Sequence, residues 1–531
     1  MIKDKGFTKT FKENRILLFI IMIAVLLSVF YGFRKEGMFL DELYSYGLSN
    51  SQYAPFVQDV KGGNFVDTVV TNKELYDYVT VGVNERFNYG SVYYNQSMDV
   101  HPPLYYALLH TVCSFFPGVF SKWFGLGLNI AIYAATLFAL YKVSELIFKN
   151  KKISLTAVLL YGISQAGLST ANMIRMYMLL TFFTVLFAYF LLRLIERERW
   201  YYYLGIGATV FAGLFTQYYF VFYAFFACAV LDVYLLAKKE IKKAVIFSVS
   251  AILGVAAMYI CYPVCVEHLF ADKVVSGGSA ISNLTDITIY AGRIGHFTLD
   301  LVASMAGAVI LSVVSVIVIL CNKKKTNISC EEQQVRTKTL LLFIPAVFAY
   351  VLAAIISPYV IIRYIYNIIP ILALLPVYLV YRMLNIKKND KKCFKNTVVA
   401  IVAIAILTLI IQGPTWLYRE YIAYDEVMEK QKDKLCVYLT QNADYAVTSD
   451  LPQLLNFDEV FITDDVDSFE LYQYMEKQDR SKSVVVYIAE GLDLEGRTRH
   501  KVLRDFQEKY GYSNYTLIFD DKDFSAIYLV E

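Results

Sequence analysis

Apolar residues in this chain fall in long unbroken blocks, each near the length that crosses a bilayer. A spanning helix needs about 20 mostly apolar residues, within a range of roughly 17 to 25. Such blocks run over Ile16–Phe33, Trp123–Phe148, Ile153–Ser169, Met176–Leu192, Trp200–Phe215 and Tyr218–Ala237. They continue over Ala244–Val264, Phe297–Cys321, Leu340–Ile356, Tyr364–Leu384 and Thr397–Ile411. The expected fold class is a polytopic α-helical membrane protein with about eleven transmembrane helices. Composition agrees, since 18% of residues are charged against about 25% in a soluble domain. That balance excludes a soluble multidomain enzyme, a disordered scaffold and a disulfide-rich secreted module. A net charge of +3 is too small to imply a nucleic-acid partner, and the eight cysteines keep to no disulfide or zinc spacing.

Basic residues orient the spans, because short cytoplasmic loops collect Lys and Arg. The amino terminus carries Lys3, Lys5, Lys9, Lys12 and Arg15. Every second connection after it is also basic: Lys149/Lys151/Lys152, Arg193/Arg197/Arg199, Lys238/Lys239/Lys242/Lys243, Lys323/Lys324/Lys325 and Lys387/Lys388/Lys391/Lys392/Lys395. Short connections of the other parity hold only Arg175, nothing, Lys273 with Arg293, and Arg363. The amino terminus is therefore expected in the cytoplasm, and an odd span count puts the carboxyl terminus outside. No small-residue cleavage site comes after the first span, so it is expected to stay as a helix.

Two regions are not membrane. One is the first outer loop, residues 34–122, far longer than an ordinary connection. The other is the tail, residues 414–531, where the pattern changes to short strands at Tyr445–Thr448, Val460–Thr463, Val484–Ile488, Tyr515–Phe519 and Ser525–Val530. Polar segments such as Arg499–Lys509 read between them as amphipathic helices. The expected organisation is a transmembrane module over 1–413 and a small C-terminal α/β domain over 414–531, outside the cell.

Residues that could carry chemistry cluster on the predicted outer side. Asp41 and Glu42 form an acidic island among Met38, Phe39, Leu40, Leu43, Tyr44 and Tyr46. Their plain reading is charge at a helix N-terminus; an apolar setting also raises carboxylate basicity. Further along the loop, Asp99-Val100-His101-Pro102-Pro103-Leu104 precedes Leu104–Phe116, too short to span and suited to a membrane-face helix. Pro102 and Pro103 favour a helix start, and His101 is either part of that start or a base or phosphate ligand. Arg175 and Arg363 sit at outer mouths of spans, with Tyr177 and Tyr364 beside them. One arginine there can simply snorkel to headgroups, whereas two paired with tyrosines suit an anion clamp. Span interiors are almost free of ionisable groups, unlike an ion-coupled transporter.

The ordered set of Asp41-Glu42, Asp99 to His110, Arg175-Met176-Tyr177 and Arg363-Tyr364 resembles the GT-C superfamily of polyprenyl-phosphate-sugar-dependent glycosyltransferases. In style it is similar to glycosyltransferase family 39, the protein O-mannosyltransferase and aminoarabinose transferase group, over residues 10–413. The resemblance implies that Asp41 is the catalytic base with Glu42 its partner, and that Arg175, Tyr177, Arg363, Tyr364 and His101 lie at the lipid-phosphate donor. It implies that Asp99, Pro102 and Pro103 belong to an accessory loop closing the site. The implied donor is a polyprenyl-phosphate-linked sugar in the plasma membrane, and the acceptor a lipid, an envelope polymer or a protein. One carboxylate with no nucleophile opposite it predicts inversion. No cofactor is expected, and with no metal-ligand cluster in the sequence the transfer is expected to need no metal. The competing readings are a transporter or flippase for a lipid-linked sugar, which calls for inverted repeats, and another polyprenyl-phosphate enzyme, which calls for a nucleophile or general acid.

Overall fold

The structure is a computed structural model that describes residues 14–531 apart from 64, 271–274, 323–328, 388–389, 419–426, 442, 480–481, 490–497 and 521–524. The basic residues Lys3, Lys5, Lys9, Lys12, Lys273, Lys323, Lys324, Lys325 and Lys388 of the orientation argument lie outside the described residues. The chain forms two compact units. One comprises the described residues of 1–33, 100–105 and 125–415; the other comprises those of 34–99, 106–124 and 416–531.

The first unit is helical. Eight described helices are long and apolar enough to cross a membrane: Arg15–Phe33, Lys122–Phe148, Tyr177–Glu196, Phe220–Ala237, Ile241–Cys261, Cys330–Ile356, Ile362–Ile386 and Lys391–Ile411. The expected Ile153–Ser169 and Phe297–Cys321 spans are instead bent pairs. Lys151–Gly162 meets Gln165–Asn172 at 57°, and Ile287–Ser304 meets Ala306–Cys321 at 89°. Counting each pair as one span gives ten, and the expected eleventh is Trp200–Leu214. That helix has 15 residues and a rise of about 22 Å at 1.5 Å per residue, short of a hydrocarbon core about 30 Å thick.

Local chemistry explains the first bend. Ile163 leaves the helical conformation, and the Ser164 hydroxyl accepts from the Gly167 N–H at 3.0 Å, capping the next helix. Met305, at φ −121° and ψ 31°, makes the second bend without a proline. Ser164 and Met305 line one cavity of about 10 Å³ together with Leu160, Gly307 and Thr408. Broken backbone is tolerated in a membrane protein where protein buries it, and here Ser164 and Met305 are both buried.

The second unit carries a six-stranded sheet: β1 (Thr68–Thr71), β2 (Leu435–Leu439), β3 (Glu459–Thr463), β4 (Val484–Ala489), β5 (Tyr515–Asp520) and β6 (Ser525–Val530), in the order β1-β3-β2-β4-β6-β5. The β3-β2-β4 centre is parallel, and the flanking pairs are antiparallel. Its middle strand pair reads Leu-Cys-Val-Tyr-Leu and Val-Val-Val-Tyr-Ile-Ala, near-continuous apolar runs suited to burial on both faces. One face packs Val437, Leu439, Phe461, Val484, Val486 and Ile488 against Leu471, Val502, Leu503 and Phe506 of two helices. The expected strand at Tyr445–Thr448 is a helix, Ala443–Ser449, and the first strand of the tail is β2. A short apolar run cannot be assigned by periodicity alone, and here residues 446–450 are all buried, with no alternation to mark a strand. Strand β1 comes from the first loop, where no strand is expected from the apolar pattern; it pairs antiparallel with β3 through Val70 and Val460.

Candidate functional site

In the second unit the helix Leu40–Asn50 begins one residue before the acidic pair. Carboxylates in a first turn face the orphan N–H groups and the positive end of the helix dipole. The two acids then diverge. Glu42 is fully buried: its Oε2 accepts from the Phe39 N–H at 2.7 Å and pairs with Lys35 Nζ at 2.9 Å, both side chains being 0% exposed. The Lys35 ammonium also donates to the Trp416 carbonyl and lies 5.4 Å from the Tyr418 ring centroid, while Lys122 donates to the Lys35 carbonyl. Burial pushes the Lys35 ammonium below its ordinary range, opposed by the Glu42 charge and hydrogen bond. Asp41 is only half-buried, so of the two acids it keeps surface that a substrate can reach.

One turn further, the Tyr44 hydroxyl donates to Asp444 Oδ2 at 2.6 Å, and the Val57 N–H donates to Asp444 Oδ1 at 3.2 Å. Burial pushes the Asp444 carboxyl up to about 6; the Tyr44 and Val57 bonds oppose this, and the charges of Asp59 and Asp99 add to it. Asp99 is the half-buried C-cap of Tyr89–Met98. The Leu40–Asn50 helix is held closely: a Cβ on Gly47 would lie 2.1 Å from Tyr78 Cζ. Sequence reasoning misses both Lys35 and Asp444. Lys35 carries a signal, as a basic residue just past a span on the cation-poor side; Asp444, some 400 residues from Tyr44, carries none.

In the first unit, Arg175 sits between Gln165–Asn172 and Tyr177–Glu196, and is 4% exposed. Its N–H donates to the Met173 carbonyl at 2.8 Å, and Asn129 donates to the same carbonyl. This tight link fixes the Arg175 backbone two residues ahead of a helix N-terminus that has no side-chain cap. An arginine next in sequence to the free N–H groups of a helix start suits an anion. Arg363, 5% exposed, lies in the 3₁₀ segment Ile362–Ile368 with its guanidinium carbon 5.3 Å from the Tyr364 ring centroid.

These two pieces meet. The Tyr177 and Tyr366 rings are 6.3 Å apart, edge to face, and Asn367 donates to Thr184 Oγ1 at 3.5 Å. Tyr219 joins them, its ring 5.4 Å from that of Tyr364 and its hydroxyl under the charges of Arg293 and Arg363. His101 is half-buried, Pro102 and Pro103 are buried, and the helix starts at Leu104 as the prolines predict. The Leu104 N–H donates to the Phe215 carbonyl at 3.1 Å, fixing this entry to the end of Trp200–Leu214. Among the described residues no group of three or more His, Cys, Asp or Glu could hold a metal ion.

Comparison with known proteins adds three findings. Residues 100–267 match the family described as dolichyl-phosphate-mannose-protein mannosyltransferase. That stretch contains His101 and Arg175 but neither Asp41 nor Arg363. The fold is similar to the crystal structure of ArnT from Cupriavidus metallidurans bound to undecaprenyl phosphate, at a TM-score of 0.55 and 10% identity, covering 97% of this chain and 98% of that one. The apo state of the same protein gives a TM-score of 0.52 at 10% identity, over 96% and 97%. No curated protein matches the sequence. The matched stretch and the shared fold agree with the resemblance to GT-C glycosyltransferases that use lipid-linked sugars.

Proposed function

We propose that this chain, which resembles the GT-C glycosyltransferases, moves a sugar from a polyprenyl-phosphate donor to a hydroxyl or amine on an acceptor lipid, envelope polymer or protein. The observation that carries this reading is the pair of nearly buried arginines on packed elements, each beside a tyrosine, within a fold similar to one that holds undecaprenyl phosphate. Seclusion from water strengthens the pull of a guanidinium on an anion, and a lipid-linked phosphate supplies two or more acceptor oxygens for its planar fork.

The chemistry asks little more of the protein. The bond from the anomeric carbon to the phosphate oxygen breaks as the acceptor oxygen or nitrogen attacks from the opposite face. Phosphate is already a good leaving group, and Arg175 and Arg363 take up the charge that develops on it. Asp41 accepts the acceptor's proton, an effect worth about 10²–10⁴-fold. Glu42, paired with Lys35, fixes the turn on which Asp41 stands. His101 and Asp99 belong to the accessory loop that closes the site. Single displacement by one base inverts the anomeric configuration, and no metal enters the scheme.

In this reading the amino terminus is cytoplasmic in the plasma membrane and the tail lies outside. The basic connections on both sides of Trp200–Leu214 and Phe220–Ala237 support it, because the alternation holds only if the 15-residue helix crosses. The test is transfer by the purified chain in lipid vesicles. A labelled sugar on polyprenyl phosphate should move into a lipid, polymer or protein fraction, and Arg175→Ala or Arg363→Ala should weaken donor use, with Lys restoring only part. Intact donor in every vesicle carrying folded protein, whatever envelope fraction is offered, counts against the reading.

A further inference from the structure

The sequence marks Arg293 only as one of few cations in its set of short connections, and the donor scheme leaves it unused. Its guanidinium has definite partners. Nε donates to the Ala354 carbonyl at 3.0 Å, and Nη2 donates to the Ser357 carbonyl and, at 3.0 Å, to the Ser357 hydroxyl. Asn283 donates to the same Ser357 carbonyl at 3.0 Å. Ala354 and Ser357 are the end of Cys330–Ile356, where the last carbonyls lack intrahelical donors and the helix dipole is negative. A planar cation there satisfies the carbonyls and neutralises the dipole together. Ser357 is fully buried, so water is a poor substitute.

The contact takes its meaning from the segment beyond Ser357. Pro358, Tyr359, Val360 and Ile361 lead directly into Ile362–Ile368, which carries Arg363 and Tyr364. Two further bonds, from Tyr350 to the Ile294 carbonyl at 3.1 Å and between Thr298 and Tyr350 at 2.6 Å, lace the Arg293 helix to the same helix end. The Arg293 charge also bears on Tyr219, the neighbour of Tyr364.

We infer that Arg293 is a positioning residue that fixes the end of Cys330–Ile356, so that Arg363 and Tyr364 are held ready for a lipid-linked phosphate. The inference rests on the donor-binding reading above and extends it to a residue that acts through Arg363. It predicts coupling. Losing Arg293 loosens the 357–364 segment and weakens phosphate binding, but does nothing further once Arg363 is gone.

The experiment uses the full purified chain in nanodiscs, with a fluorescent polyprenyl monophosphate as probe. Arg293→Ala should raise the probe Kd about tenfold, the scale of charge-assisted hydrogen bonds lost at one end, and leave turnover at saturating donor within about twofold. Arg293→Lys should recover part of the affinity. Arg363→Ala should also weaken binding, and the double variant should be less than about twofold worse than Arg363→Ala alone. Hydrogen exchange over residues 357–368, measured without probe, should quicken in Arg293→Ala. Unchanged affinity with unchanged exchange, or losses that multiply in the double variant, overturns the inference. Should Arg293→Ala not fold, Ser357→Ala and Asn283→Ala decide in its place: faster exchange and weaker binding support the inference, and neither change overturns it. Wild-type protein that does not bind the probe strikes the donor reading instead, and exchange in Arg293→Ala then decides the positioning role by itself.

Discussion

At the scale of single residues, two neighbouring carboxylates answer differently to the same substitution. Asp41→Asn keeps shape but cannot accept a proton, so turnover should fall by about two to four orders of magnitude with donor binding largely kept. Near-normal turnover of the folded variant would falsify the base assignment. Glu42→Gln instead leaves the Lys35 ammonium buried beside a neutral amide, and breaking a buried pair costs about 3–5 kcal/mol. Thermal unfolding in detergent should show that loss, and replacing both residues together, Lys35→Met with Glu42→Leu, should recover much of it. A Glu42→Gln protein as stable as wild type would mean the pair is not what holds the turn. Asp444 supplies a pH signature. Its folded pKa of about 6 stands above the ordinary 3.8, so the folded state binds the proton more tightly than the unfolded one. Wild type should therefore lose stability relative to Asp444→Asn as pH rises from about 4 to 6, a trend read from melting temperatures; a flat difference removes the buried carboxyl as its cause. Asp41-Glu42 and the two arginine–tyrosine pairs are visible in the sequence, because apolar surroundings make such charges conspicuous. That Glu42 meets Lys35 and Tyr44 meets Asp444 is not visible there, since those pairings depend on the path of the chain and not on spacing.

At the scale of elements, apolar length is the legible signal and backbone continuity is not. Blocks such as Phe297–Cys321 contain no proline to announce a bend, yet Met305 turns the chain by 89°. The bend lies buried beside the Ser164 break and the Lys391–Ile411 helix, whose Thr408 lines the same cavity, a long-range fact. The Leu40–Asn50 helix depends on another close approach, that of Gly47 to the Tyr78 ring. Gly47→Ala must displace a fully buried tyrosine, and overpacking of that kind costs about 1–3 kcal/mol. The variant should melt earlier and lose turnover, with Tyr78→Leu in the same chain restoring part of both. Unchanged melting of Gly47→Ala would show that the ring has room to move.

At the scale of the whole molecule, the alternation of basic loops yields a direct test of orientation. With exposed native cysteines replaced, Gln473→Cys in the tail should react with a membrane-impermeant thiol reagent on intact cells. Labelling only after lysis would reverse the proposed sidedness and move the acidic pair to the cytoplasm. Strand order in the sheet also sets the timing of its assembly. Strand β1 leaves the ribosome roughly 390 residues before β3, whose Glu459 pairs with Thr71. At about 5–20 residues per second that interval lasts on the order of 20–80 seconds. For that time the first loop carries a strand with an open edge while the remaining spans are inserted, so this sheet cannot close until synthesis is nearly over. Nascent chains arrested before β3 should thus expose β1 to proteolysis, and protection should appear abruptly once Thr463 has emerged.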